Sequence, residues 1–210
     1  MAWYTDRVAE LGLRDRKKAR TRQHIADTAA RLFAERGYEQ VAVSEIARAA
    51  EVAEQTLYNY FPTKEQLVTD REQQIQQRLT DLIRSRPAGT SPAAAIRDFI
   101  LETVSAIRGM PPANSRGHLG YLAAISPTVN RLALEMTDRQ AAALAAVIGE
   151  TSPIAPEIAR LQGIALAGVF HIIISESGRR THDGQSPAET ADALQPQIEN
   201  ILAELDRWTR

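Results

Sequence analysis

Apolar side chains recur at helical spacing along almost the whole chain, and no segment alternates apolar and polar residues long enough to form a sheet. Alanine, leucine, glutamate, glutamine and arginine dominate, and these residues favour helices. The first long helix is predicted from about Arg16 to Glu35. Its buried stripe has the spacing i, i+4, i+7, i+8 and consists of Ile25, Ala29, Leu32 and Phe33. The sequence therefore predicts an all-α protein of about nine helices.

The composition limits the class of protein. With 210 residues, 44% hydrophobic and 24% charged, the chain can form one or two domains with a buried core. It has no cysteine, which excludes disulfides, thiolate zinc sites and a cysteine nucleophile. We expect no metal and no cofactor. Because no apolar run approaches the ~20 residues of a membrane span and the N-terminus lacks a signal-peptide core, we expect a cytoplasmic protein.

Three short helices are predicted between Ile25 and Leu67, and the third is the most informative. It covers Gln55–Phe61, which is too brief for a core helix, and it is anchored by Leu57 and Phe61 while its polar and aromatic side chains face outward. A short helix held by two others can enter the DNA major groove, which is about 12 Å wide. We therefore expect an N-terminal arm and helix-turn-helix DNA-binding domain at residues 1–66 and a helical domain at 67–210.

A basic segment precedes these helices. The formal net charge of the chain is only −1, but between residues 14 and 22 a single acid, Asp15, stands against six cations. The cations are Arg14, Arg16, Lys17, Lys18, Arg20 and Arg22. They could form a solvated helix start, or an arm that binds DNA phosphates.

The C-terminal helices carry two notable patterns. Pro62 is expected to stop the third helix, and Thr63–Gln66 matches a capping box that would open a fourth helix to about Arg84. The last helix, from about Pro187, has an a/d seam that Pro196 should kink or shift. The helix before it, from about Pro156 to Ser177, is apolar nearly all round. Packing within the chain could cover both helices, but we favour a symmetric four-helix interface between two copies. Its candidate residues are Ile158, Leu161, Ala165, Val169, Ile172, Leu194, Ile198, Ile201, Leu205 and Trp208.

Three motifs in order give the chain a family resemblance. They are Phe33-Ala34-Glu35-Arg36-Gly37-Tyr38, Val43-Ser44-Glu45-Ile46-Ala47 and Thr56-Leu57-Tyr58-Asn59-Tyr60-Phe61-Pro62-Thr63-Lys64-Glu65. With them, the chain resembles TetR-family transcriptional regulators from about Lys17 to Leu67. The resemblance implies a homodimer that binds palindromic double-stranded operator DNA, acts as a repressor and is released when a small-molecule effector enters the C-terminal domain.

The chain departs from the family pattern at three positions. Ala42 replaces the usual Thr or Ser that caps the second helix, and Ala53 replaces the usual Ser or Thr before the third. Each lost cap should cost roughly 0.5–2 kcal/mol. Glu51 replaces the usual turn glycine and would need a left-handed backbone, which is uncommon for other residues.

The resemblance and the side-chain chemistry together suggest the DNA contacts. By match to the family, Tyr58 would donate to a phosphate and Lys64 would add charge at the start of the fourth helix. The side chains that could reach base edges or the backbone are Ser44, Arg48, Gln55, Thr56, Asn59 and Tyr60. Glutamine and asparagine suit adenine, and a threonine methyl suits thymine. Packing within the domain is the alternative for both tyrosines.

An effector site needs an apolar wall with a few polar groups. Candidates between the fourth and eighth helices are Phe99, Thr103, Met110, His118, Tyr121, Leu122, Met136, Phe170 and His171. Most of them would serve equally well as plain core, and a histidine there is more often structural. Coupling to the DNA-binding domain would run through the fourth helix.

Two other classes of protein compete with a regulator. The four histidines are scattered, and the chain has no His-Glu-x-x-His, no phosphate-binding glycine loop and no Gly-x-Ser-x-Gly, so an all-helical enzyme is disfavoured. A helical dimerisation or scaffold protein that does not bind DNA is the second alternative.

Overall fold

A computed structural model describes residues 12–208, and every regular element in that range is helical. The elements are α1 (Leu13–Arg36), α2 (Val43–Ala49), α3 (Glu54–Tyr60), a 3-10 turn (Glu65–Leu67), α4 (Glu72–Arg84), α5 (Pro92–Arg108), α6 (Pro112–Ser115), α7 (Leu119–Ile125), α8 (Pro127–Thr151), α9 (Pro156–His182) and α10 (Pro187–Trp208). The all-α prediction is confirmed. The short helix α6 begins at the second of two consecutive prolines, Pro111 and Pro112, because proline is well placed at the first turn of a helix.

The N-terminal core forms around the predicted stripe of α1. All four stripe residues are buried, together with Ile46 of α2, with Leu57 in the middle of α3 and with Phe61 directly after it. The turn between α2 and α3 is tight because Glu51 has a positive φ of 53°, as its glycine-like position predicted. The Val52 N–H then donates to the Ala47 carbonyl at 3.0 Å, which closes the turn.

The predicted capping box at Thr63–Gln66 is wrong, and α4 begins only at Glu72. The chain instead forms the 3-10 turn, whose first residue has no side-chain cap. The physical reason is tertiary: this path buries Leu67 in the N-terminal core and brings Asp70 to Arg22 of α1. A helix running straight on from Thr63 would forgo both contacts.

The C-terminal core is built from α4, α5, α8, α9 and α10. Helices α8 and α9 pack very closely, since a Cβ on Gly163 would lie 2.5 Å from the Ala141 carbonyl oxygen. Helix α10 runs antiparallel to α5, because Ser91 donates to Asp206 at one end and Arg108 pairs with Asp192 at the other. Helix α10 begins at Pro187 and continues through Pro196, so this proline does not shift the start of the helix.

Helix α9 differs from its prediction in two ways. It continues to His182, and Gly178, expected in a polar connection, is buried inside it. A Cβ there would lie 2.0 Å from the carbonyl oxygen of Gly120, so α9 meets α7 backbone to backbone. By length and composition α9 could also cross a membrane, contrary to the expectation that no run approaches that length. Its most apolar 18 residues have a mean hydropathy of 1.6 and are 44% buried in the chain, as in the core helix of a bundle.

Candidate nucleic-acid interface

Helix α3 is anchored on one side and open on the other. Leu57 is fully buried in the N-terminal core, while Gln55, Tyr58 and Asn59 are exposed, with Tyr58 at 42%. The Gln55 Nε2 amide donates to the Asn59 Oδ1 at 3.3 Å, so the two side chains one turn apart already face the same way. These three side chains form the outer face of α3.

The remaining candidates on α2 and α3 are less exposed. Thr56 and Tyr60 are half-buried, and Tyr60 packs against the N-terminal core, in keeping with the packing alternative for this tyrosine. On α2, Arg48 is exposed and Ser44 is half-buried near the start of the helix. The outer face of α3 and the exposed Arg48 therefore supply the open polar surface of the helix pair.

The caps of the two helices are altered as their sequences predicted. Neither Ala42 nor Ala53 makes a side-chain cap hydrogen bond. At α2 another residue compensates in part, because Glu45 Oε2 accepts from the Ala42 N–H at 2.9 Å and Glu45 also pairs with Arg36. These two contacts lower the pKa of the Glu45 carboxyl below its ordinary value, with the Ala42 hydrogen bond as the larger cause.

Lys64 is used within the protein. Its ammonium group donates to the Tyr38 carbonyl oxygen at 2.6 Å and lies 4.3 Å from the centroid of the Tyr38 ring. Burial lowers the pKa of Lys64 and raises that of the Tyr38 hydroxyl to about 12. Lys64 also precedes the 3-10 turn, not a long helix. In this conformation Lys64 fastens the loop after α3 to the end of α1, which argues against a free phosphate-binding charge.

The predicted arm separates into two parts. Five of its cations, Arg14, Arg16, Lys17, Lys18 and Arg20, are exposed on the first turns of α1. The prediction that Arg22 belongs to the phosphate-binding arm is wrong. Its guanidinium donates to the Tyr60 carbonyl, pairs with Asp70 and lies 4.2 Å from the centroid of the Phe61 ring. It is a structural clamp for the end of α3. The sequence alone did not indicate this role, since the partner Asp70 lies far along the chain.

The predicted effector residues do not share one environment. Phe99 and Phe170 approach within 6.5 Å between ring centroids in the C-terminal core, where Thr103 is half-buried nearby on α5. Leu122 and Tyr121 instead pack with the N-terminal core. At the start of the same helix, burial lowers the pKa of the His118 imidazole, with Arg71 as the second cause. Met136 is buried, and Met110 and His171 are half-buried.

The structure does contain a shallow groove of about 290 Å³ elsewhere. Its lining residues are Ala94, Arg97, Leu202, Ala203, Asp206 and Arg207. It lies between α5 and α10 and includes none of the predicted effector residues.

The residues predicted for the dimer interface differ in how exposed they are. Val169 of α9 and Leu194 and Ile198 of α10 are buried in the C-terminal core of the single chain, so their assignment to an interface between copies is wrong. Ala165, Ile172, Ile201 and Leu205 are half-buried. The members left open are Ile158 at 43%, Leu161 at 51% and Trp208 at 45%.

One apolar side chain of the open face was missed. Ile164, 51% exposed, follows Ile158 and Leu161 at steps of three and so lies on the same side of α9. Its spacing from Ile158 and Leu161 would have identified Ile164 if the helices that cover the other sides of α9 had been known. We call Ile158, Leu161 and Ile164 the open face of α9.

Comparison with known proteins covers the N-terminal domain most specifically. The family model described as "Bacterial regulatory proteins, tetR family" matches residues 25–70. The chain is 33% identical over 97 residues to the HTH-type transcriptional regulator TcmR of Streptomyces glaucescens, covering 46% of this chain and 43% of that protein. It is 32% identical over 93 residues to the HTH-type transcriptional repressor DhaR of Mycobacterium sp. (strain GP1), covering 42% and 46%. The chain thus matches less than half the length of these relatives.

Among solved structures, the fold extends further than the sequence match. The chain resembles native NalD, the secondary repressor of the MexAB-OprM multidrug efflux pump in Pseudomonas aeruginosa, with a TM-score of 0.55 and 20% identity over 87% of this chain and 96% of that one. This likeness concerns the fold alone. The family match to residues 25–70, which contain α2 and α3, identifies this part of the chain as a DNA-binding domain of the tetR family of bacterial regulatory proteins.

Proposed function

We propose that this chain is a cytoplasmic, homodimeric repressor that binds palindromic double-stranded operator DNA through α2 and α3 and releases it when a small-molecule effector binds. The observation that carries the proposal is the outer face of α3, where Gln55, Tyr58 and Asn59 are exposed on a helix whose other side is anchored by Leu57. Such a helix fits the major groove, where amide side chains can make paired hydrogen bonds with adenine. Among residues 12–208, no group of three or more His, Asp or Glu side chains could hold a metal ion.

Different side chains are candidates for recognising the bases and for positioning the protein on the duplex. Gln55 and Asn59 are the candidates for base edges, with the Thr56 methyl and Ser44 beside them. The Tyr58 hydroxyl and Arg48 are candidates for phosphates, which fix the register of a protein on the duplex. Since Lys64 is held by Tyr38, phosphate binding by Lys64 would require that internal hydrogen bond to break.

Dimerisation is supported by the open face of α9. Large apolar side chains about half exposed along one side of a long helix are costly in water, and a second copy would cover them symmetrically. The half-buried residues of the same helix pair, among them Ala165, Ile172, Ile201 and Leu205, would extend the contact. Two copies can then present two α3 helices to successive major grooves, about 34–36 Å apart.

Effector control is proposed for the C-terminal bundle around Phe99 and Phe170, with Thr103 hydrogen-bonded to the Phe99 carbonyl and His171 next to Phe170 in the chain. His171 has a buried Nδ1 atom without a hydrogen-bond partner, a polar group that a ligand could satisfy. To change operator occupancy from 99:1 to 1:99, the effector must prefer the released state by about 10⁴-fold. An effector that binds tightly and leaves operator affinity unchanged would contradict this part.

The test is a binding titration with duplexes that carry inverted repeats from the DNA beside this protein's own coding region. We expect tight binding to one repeat, and Q55A or N59A should weaken it by about 1–3 kcal/mol while relaxing discrimination at one base pair. The matched control is Q74A, an exposed glutamine on α4. Equal binding of all duplexes by the parent protein would overturn the proposal.

A further inference from the structure

The first three turns of α1 lie outside both hydrophobic cores. The helix begins at Leu13, but the first buried residue is Ile25, and no residue from Arg14 to His24 is buried. At 1.5 Å per residue, the part of α1 ahead of Arg22, which clamps the helix to the domain, is about 13 Å long. A helical segment that contributes nothing to a core needs another reason to exist.

The extension is strongly and almost uniformly positive. It carries five exposed cations, Arg14, Arg16, Lys17, Lys18 and Arg20, and one acid, Asp15. None of the five cations forms an ion pair within residues 12–208. Several are spaced to repel each other, such as Arg14 with Lys18 and Arg16 with Arg20, at i and i+4. Positive charge at a helix N-terminus also opposes the helix dipole, and Gly12 supplies no side-chain cap. The segment therefore has little within the chain to hold it helical.

Its position points to the partner. One turn after Lys18, Arg22 contacts the Tyr60 carbonyl and the Phe61 ring, so α1 leaves the domain beside the C-terminal end of α3. DNA that receives α3 would bring its sugar-phosphate backbone to the same end of the domain. The extension has no apolar face for insertion into a membrane surface, whereas its charges match a phosphate backbone.

We propose that residues 14–20 of α1 form a helix that binds the phosphate backbone of the duplex next to the base pairs contacted by α3, and that DNA stabilises this helix. The inference rests on the proposed function and extends the DNA surface beyond α2 and α3. Binding relieves the repulsion among the cations, so the helix and the contact form together. Because phosphates are the same in every sequence, the extension adds affinity and not base specificity.

The first experiment measures how the affinity of the full chain for its inverted repeat, and for an unrelated duplex, depends on salt. Each phosphate contact contributes about 0.9 to the slope of log K against log[salt]. The variant K17Q/K18Q/R20Q should lower the slope by up to about 5 for a dimer and weaken both duplexes alike. The control variant R78Q/R97Q/R116Q removes three exposed arginines of the C-terminal domain and should leave the slope nearly unchanged.

A second measurement separates folding on DNA from charge alone. Hydrogen exchange of the backbone amides at 14–24 should slow when the inverted repeat is added, while that of Ile25–Phe33 in the core changes little. Equal slopes for the two triple variants, or unchanged exchange at 14–24, would overturn the inference. Failure of the proposed function looks different, since the parent protein would then not distinguish the repeat from the unrelated duplex.

Discussion

At the scale of single residues, Arg22 is the clearest case of a side chain whose role depends on its tertiary partner. It lies in a run of six cations, yet it is the one that turns inward to Asp70, with 31% and 20% of the two side chains exposed. We expect R22A to destabilise the protein by about 1–3 kcal/mol, because it leaves the carboxylate and the Tyr60 carbonyl without their donor. R20A, from the exposed side of the same helix, should change stability by less than about 0.5 kcal/mol. Urea unfolding of both variants checks this, and equal effects would contradict the clamp.

Glu51 holds a conformation that suits glycine. At a φ of 53°, the Cβ of a residue other than glycine destabilises the folded state by about 1–2 kcal/mol. Glycine avoids this steric cost, but it loses more conformational entropy on folding, which offsets part of the difference. We therefore expect E51G to stabilise the protein by about 1 kcal/mol in thermal or urea unfolding. E51Q is the control, since it removes the charge and keeps the backbone. A gain of the same size in E51Q would assign the effect to charge.

Glu45 should make stability depend on pH in the acid range. Its folded pKa lies below the ordinary value of 4.5, so its contribution is complete above that pH and is lost as the pH falls through the folded pKa. E45Q keeps an oxygen for the Ala42 N–H but cannot pair with Arg36. The Tm difference between parent and E45Q should be constant near neutral pH and shrink in acid. A difference that does not vary with pH would contradict the role of charge.

At the scale of elements, the contact between α7 and α9 depends on two glycines, Gly120 of α7 and Gly178 of α9. A Cβ at Gly178 meets the Gly120 backbone at 2.0 Å, so G178A must push the helices apart and should cost about 1–3 kcal/mol. G149A is the control, because its new Cβ meets only Ala159 Cβ at 3.8 Å and alanine favours the helix. Chemical unfolding should show destabilisation in the first and none in the second.

The existence of most helices could be predicted from periodicity, but their ends could not. Thr63–Gln66 has the letters of a capping box, which is a local signal, and it was overridden by the burial of Leu67 and the pairing of Asp70. In the same way Gly178 has the local character of a helix end, yet α9 continues through it to His182 and packs there against Gly120 of α7. Local rules fail at these places because the deciding partner is distant in sequence.

At the scale of the whole molecule, an apolar seam indicates that a helix packs lengthwise on another helix. It does not show whether that other helix belongs to the same chain or to a second copy. The seam of α10 packs on α5 of the same chain, whereas residues 12–208 leave the side chains of the open face of α9 about half exposed. The outer face of α3 could be predicted from sequence because its anchors are local: Leu57 lies within the helix and Phe61 follows it directly. The effector residues could not, since Leu122 and Phe99 belong to different cores.

The open face of α9 gives the last prediction, which concerns assembly. L161E/I164E places two charges where the proposed dimer is apolar, and both side chains are already about half exposed, so the fold of one chain should tolerate them. We expect a monomer by sedimentation equilibrium. Affinity for the inverted repeat should fall by about 10²–10⁴, because the second half-site is no longer bound by a linked copy.

The matched control for this variant is L134E, which charges an equally exposed leucine, 47% accessible, on α8. It should remain a dimer and bind the repeat as the parent does. A dimeric L161E/I164E would mean that the copies meet elsewhere. A monomeric variant that still bound the repeat with parental affinity would mean that pairing through α9 does not position the two α3 helices on DNA.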